Sequence, residues 1–292
     1  SGAGTTLRAP VYGSDAGFVN AAAGAATLTA ASHNSINGTI TAQTTLAVNS
    51  LKINGANNLT LAAGQTLTVG VGAAPAGAGI ILAGGSSTIS GGTALASSAT
   101  GNDFAVRVEG AANTLTISTP MTVSTAGLTK SGSGALVLGG ANTYSGTVFI
   151  NEGTLRMGAG GLLGATGIGL AVRQGGTFDL NGINVGTASS GTNAVNALNG
   201  AGTLTNSGTL ASLRIGEGGA GGNFTGLISG NLALVKAGAG TTHLSGMNTF
   251  TGPVTLVGGN LDVTRLANIG KDSGLGRGDA TSAATNAASL VF

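Results

Sequence analysis

The feature that most limits what this chain can fold into is an alternation of period two, in which single charges stand between apolar neighbours. It recurs in Leu51-Lys52-Ile53, Leu155-Arg156-Met157, Val172-Arg173, Phe178-Asp179-Leu180, Leu213-Arg214-Ile215 and Leu261-Asp262-Val263, and it runs unbroken through Asp103–Glu109. In a strand such a triplet puts the charge on one face and its neighbours on the other, whereas in a helix the charge would stand only about 100° from each neighbour. No long window carries the i, i+3, i+4, i+7 spacing of a helix. Thr, Val and Ile favour strands, and Gly and Asn supply turns between them. The chain reads as all-β.

Composition narrows the choice. Only 20 of 292 residues are charged and 56 are Gly, against roughly a quarter charged in an ordinary domain. Mean hydropathy is +0.37 and net charge +2, which is the reverse of a disordered chain. The glycines lack the triplet period of collagen. With no Cys there is no disulfide framework and no thiolate metal site. A surplus of two positive charges leaves no nucleic-acid footprint. The uncharged stretch from Ile53 to Asn102 is broken by Gly, Thr, Gln65 and Pro75, and makes a poor spanning helix.

Short strands are expected about every 8–12 residues, at Ala26–Thr29, Asn49–Ile53, Asn58–Leu61, Thr66–Val69, Gly79–Leu82 and Ser87–Ser90. Sandwich, barrel and solenoid all fit that spacing, and internal repetition decides among them. Residues 128–155 align without a gap on 234–261, pairing Lys130 with Lys236, Gly132 with Gly238, Asn142 with Asn248, Tyr144 with Phe250 and Leu155 with Leu261. Shorter echoes stand at 55–61 and 110–117. Repeats that share a template but differ in spacing suit stacked coils with loops let out between them. At roughly 22–30 residues per coil, on the order of ten coils would make a rod of about 50 Å. Residues 1–25 are expected to be an extended, low-complexity segment, and 26–292 a single solenoid with repeat copies at 127–182 and 234–292.

The entry Leu128-Thr129-Lys130-Ser131-Gly132-Ser133-Gly134, the corner Asn142-Thr143-Tyr144-Ser145-Gly146 and the segment Glu152-Gly153-Thr154-Leu155 resemble the autotransporter-associated β-strand repeat, also called the passenger-associated transport repeat. The second copy, 234–261, has the same corner as Asn248-Thr249-Phe250-Thr251-Gly252. This resemblance implies a right-handed parallel β-helix in a secreted or surface-exposed bacterial protein. It implies a scaffold, without catalytic residues.

Motifs that could carry chemistry have plainer readings. Gly216-Glu217-Gly218-Gly219-Ala220-Gly221 matches the dinucleotide fingerprint as a string, but a strand rather than a helix is expected next, so it reads as a loop. His243 is expected to point outward, and His33 has no acid within ten residues on either side. A polysaccharide-cleaving enzyme needs paired carboxylates, and Glu109, Glu152, Asp179 and Glu217, read as outward, are spread along the chain. Thr-Leu-Thr recurs at 27–29, 66–68, 114–116 and 203–205, at intervals too irregular for an ice-binding array. The inward positions are expected to include Phe104, Phe178 and Phe250. Residues 265–279 hold five charges, Arg265, Lys271, Asp272, Arg277 and Asp279, and read as an inserted, solvated loop that could contact a partner.

No catalytic, cofactor-binding or metal-binding residue is assigned, and no cofactor is expected. The chain begins at Ser1 without a leader and closes on the apolar run Ala288–Phe292 without a polar cap. The expectation is therefore a fragment of a longer array or a subunit that self-associates head to tail through its solenoid ends. The function expected is that of a non-catalytic structural protein of the bacterial surface or extracellular space: a stalk, fibre or matrix component. The alternative is an adhesin or binding module for a glycan, a host surface or ice, and a polysaccharide-active enzyme comes third.

Overall fold

A computed structural model describes residues 9–70, 78–97, 103–122, 127–187, 189, 193–278 and 290–291. Among these residues there is no helix, and every pair of adjacent strands is parallel. Three sheets run along the molecule. The longest stacks thirteen strands in chain order, from Phe18–Ala21 to Leu290–Val291. A second stacks nine, from Ile40–Gln43 to Leu227–Ile228, and a third stacks four, from Leu46–Val48 to Met121–Thr122. Every coil therefore returns to the same sheet one ladder step further on, which is a parallel β-helix.

Coil length varies while register holds. Leu128 pairs with Val148, only 20 residues on, whereas Lys52 pairs with Ile81, 29 residues on. The difference is taken up at the corners, because strand pairing fixes only the spacing of about 4.8 Å between coils. The stacking also reaches beyond the span expected for the solenoid: Phe18–Ala21 already pairs with His33–Ile36. Ala26–Thr29 is not a strand, contrary to its alternation. There the Leu28 amide donates to the Gln43 side chain at 3.2 Å instead of to a neighbouring backbone.

Inward residues form columns. Phe104, Leu128, Val148, Leu170 and Leu198 succeed one another on the first sheet, and Leu115, Leu136, Leu155, Phe178, Leu204 and Ile228 on the second. All are fully buried, as are Tyr144, Phe224 and Phe250. One strand departs from strict stacking. Val195–Gly200 meets Ala211–Ile215 only at Val195 and Ile215, and its far end meets Gly222–Phe224 through Gly200. Val185 fills the opened ladder: its amide donates to Ser212 O and its carbonyl accepts from the Arg214 amide. The strands Thr241–Leu244 and Asn260–Val263 continue from that branch.

The corners require glycine where one coil's turn sits on the next. Gly132 and Gly238 both have positive φ (74° and 63°). A Cβ on them would lie 2.4 Å from Val108 O and 1.9 Å from Gly216 O, so both conformation and space exclude a side chain.

Tyr144 and Phe250 occupy equivalent core positions in the two repeats, but the Tyr144 hydroxyl has no hydrogen-bond partner and burial raises its pKa. An unpaired buried hydroxyl costs roughly 1–3 kcal/mol. Tyr144→Phe is expected to raise unfolding free energy by about 1 kcal/mol in urea titration. A loss of stability would mean that the hydroxyl has a partner.

Candidate functional site

Buried polar groups are where perturbed pKa values, and with them chemistry, concentrate. Lys130 and Lys236 are both 0% exposed. Each stands in an apolar column, Lys130 between Val106 and Ile150, and Lys236 between Ile215 and Leu256. Each ammonium reaches the corner beside its own strand. Lys130 Nζ donates to the carbonyls of Ser131 (2.7 Å), Gly132 (2.6 Å) and Glu152 (3.0 Å). Lys236 Nζ donates to those of Ala237 (2.5 Å), Gly238 (3.0 Å) and Gly258 (3.1 Å). The acceptors correspond one for one across the two repeats, two from the lysine's own turn and one from the next coil. An ammonium has three N–H donors and no acceptor, so three carbonyls satisfy it.

Burial pulls the Lys130 pKa down to about 8, with the Glu152 carboxylate opposing and Arg107 reinforcing that shift; burial lowers Lys236 as well. At pH 7 Lys130 is therefore mostly the charged form, the one with three donors. With every donor committed to the backbone, these lysines staple neighbouring corners.

A second staple is the buried Asn of the Asn-Thr-Tyr/Phe corner. Asn142 accepts from the Met121 amide (2.9 Å) and donates to Leu162 O (2.7 Å), joining the coil below to the coil above. Asn248 does the same between Ile228 N (2.8 Å) and Gly274 O (2.8 Å). Its upper acceptor lies within the 264–278 loop, so that loop itself supplies the carbonyl the corner needs.

Asp179 corrects the sequence expectation. Read as outward, it is only 2% exposed, because the turn at Ser207 folds over it. Its carboxylate accepts from the Asn181 amide (3.0 Å), the Ser207 amide (3.0 Å), the Ser207 hydroxyl (2.8 Å) and Arg156 Nε (2.8 Å). Burial pushes its pKa up, but these hydrogen bonds outweigh burial and hold it below the ordinary carboxyl value. Arg214 is also buried, with Nε on Glu217 (2.5 Å) and Nη1 on Thr187 O (3.2 Å).

Of the other acids read as outward, Glu109 and Glu152 are exposed and Glu217 is half-buried. Glu109 pairs with Arg107 at 3.2 Å, and Glu217 with Arg214. His243 points outward as expected, and its Nδ1 lies 2.8 Å from Asp262 Oδ2 on the next coil. His33 stacks on the Phe18 ring (4.6 Å between centroids) and contacts Ser50 Oγ at 2.8 Å. Among the described residues no group of three or more His, Cys, Asp or Glu could hold a metal ion. The glycine string 216–221 is a turn leading into the strand Gly222–Phe224, as expected. Thr66–Thr68 lies on the third sheet and Thr114–Thr116 on the second, while 27–29 is not a strand, so these threonines do not share one face.

On the outside, the inserted loop lines an open groove of about 790 Å³. Asp279, the last charge of that segment, lies outside the described residues, as does the run Ala288–Ser289 and Phe292.

A parallel β-helix whose repeats carry the same buried Lys and Asn staples is the class of protein these features define. The passenger-associated-transport-repeat family model matches residues 128–157 and 234–263, the two segments that carry the Lys and Asn staples. Over 184 residues, 62% of its length, the chain is 36% identical to the protein named adhesin BmaC autotransporter of Brucella suis biovar 1 (strain 1330). It spans about 5% of that much longer relative. No solved structure matches the chain.

Lys130→Met and Lys236→Met are each expected to cost about 2–4 kcal/mol in urea unfolding, since each leaves three buried carbonyls without their donor. Lys52→Met, on the outer face, should change stability by less than about 0.5 kcal/mol. Equal effects at all three positions would remove the staple.

Asp179 fixes the sign of a pH effect. Its folded pKa lies below the ordinary value of about 3.9, so its stabilisation is present at neutral pH and is lost as pH falls below about 4. Asp179→Asn should be less stable at pH 7 and should lose less further stability between pH 6 and pH 3 than the native chain. Parallel acid limbs would show that the carboxylate is not held this way.

Proposed function

We propose that this chain is a segment of a bacterial surface-displayed or secreted protein of adhesin type, in which the β-helix is a non-catalytic display scaffold. The observation that carries this reading is the placement of two passenger-associated transport repeats, each with its Lys and Asn staples, on one continuous parallel helix. Identity with an autotransporter adhesin over 62% of the chain supports it. The interior chemistry points the same way: lysine, asparagine and aspartate side chains that could act on a substrate are used up on backbone groups. A scaffold of this kind is closed by main-chain ladders and dry columns, and its variable outer loops are free to carry recognition.

Latex beads coated with the purified chain, applied to mammalian cell monolayers and to surfaces of extracellular matrix, test the adhesin reading. Beads carrying the folded chain should be retained several-fold over beads coated with albumin. Retention equal to albumin on every surface would reduce this segment to a passive spacer.

A further inference from the structure

The inserted loop 264–278 has no charged counterpart in the first repeat, and its backbone is tied down. Gly274 N donates to Arg265 O (2.8 Å), Gly270 N to Arg277 O (2.8 Å), and Arg277 N to Phe250 O (2.9 Å). Asn248 and Ser273 exchange main-chain hydrogen bonds in an antiparallel bridge, and Ser273 Oγ closes the turn on Gly276 O at 2.7 Å. The loop is thus a built ledge on the coil.

The ledge gathers exposed apolar side chains beside charges. Leu266, at 68%, is the most exposed large apolar side chain among the described residues, and Met247 (45%) and Ile269 (44%) stand with it. The other exposed ones, such as Leu210 and Val257, lie outside the loop. Leu266 and Met247 line the open groove together with Arg265, Lys271 and the ion pair of Arg277 with Asp272 (2.7 Å). Neither Arg265 nor Lys271 has an ion-pair partner among the described residues. Among the described residues lining the groove, three cations face one acid, in a chain with only 11 basic residues. Exposed apolar groups beside unpaired cations mark a contact surface whose partner is both apolar and anionic.

We infer that the groove formed by Met247 and the 264–278 loop is a docking site for an acidic peptide segment bearing apolar side chains. Lys271 and Arg265 meet its carboxylates, and Leu266 with Met247 takes its apolar residues. A sulfated polysaccharide would satisfy the cations but offer nothing to Leu266 and Met247. A concave groove likewise suits a chain segment better than a flat lipid surface.

Fluorescence anisotropy with a short fluorescein-labelled peptide carrying Glu and Leu, beside its Gln-for-Glu twin, tests the site. The Glu peptide should bind and weaken with added salt, and the Gln twin should bind about tenfold more weakly or not at all. The double variant Arg265→Glu with Lys271→Glu should lose binding by about tenfold or more, and Leu266→Ser should weaken it further than any variant outside the loop. All these positions are exposed, so the melting temperature should not move. Equal binding of the two peptides, or an unaffected double variant of native stability, overturns the assignment. So does preferential capture, through the same residues, of a heparin fragment or of phosphatidylglycerol vesicles. Bead retention by the native chain is a separate measurement, so failure here leaves the adhesin reading standing.

Discussion

A β-helix is one coil wide, so each main-chain amide within it must find its partner in the coil directly above or below. Along the strands the ladder supplies those partners without help. At the corners the chain turns, the ladder is interrupted, and carbonyls point toward the interior. The three-carbonyl cages around Lys130 and Lys236 and the amide bridges of Asn142 and Asn248 answer that problem. In each case a side chain from one coil completes the backbone of the next. The same need explains why the corners admit glycine: at Gly238 the neighbouring coil's carbonyl occupies the space a Cβ would need.

Much of the fold was legible in the residues. The alternation through Phe104–Glu109 appears as a strand buried and exposed by turns, and the aligned segments at 128–155 and 234–261 lie in matching registers on the helix. The lysines show what alternation alone conceals. In Leu128-Thr129-Lys130, Lys130 shares the parity of Leu128 and therefore faces inward. That parity, its recurrence at Lys236 and the glycines that follow both lysines were a readable signal of a buried ammonium. Asp179 failed in the opposite direction. Its parity is outward, but Ser207 from the next coil covers it, and coverage by a loop leaves no trace in period two. The end of the solenoid was obscured for a related reason, since the Gly- and Ala-rich stretch around Phe18–Ala21 offers little apolar contrast.

For function, the division of labour is between inside and outside. Inside, the buried lysines and asparagines of the two repeats are bound to backbone. Outside, coil length can change without breaking register, so a loop such as 264–278 can be added at one corner while Asn248 still bridges its neighbours. A scaffold with those properties can acquire contact surfaces one loop at a time. That freedom is consistent with matching only a small part of a far longer adhesin.

The stacking itself is open to a direct distance measurement, helped by the absence of cysteine. Spin labels can be placed at Lys52→Cys with Phe149→Cys, and at Lys52→Cys with Thr255→Cys, on the longest sheet. Four and nine ladder steps separate these pairs, so pulsed electron resonance should give distances of about 19 Å and about 43 Å. Distances that rise with the number of coils crossed are the result expected of a β-helix. Two similar short distances, as in a closed barrel or a pair of facing sheets, would contradict it.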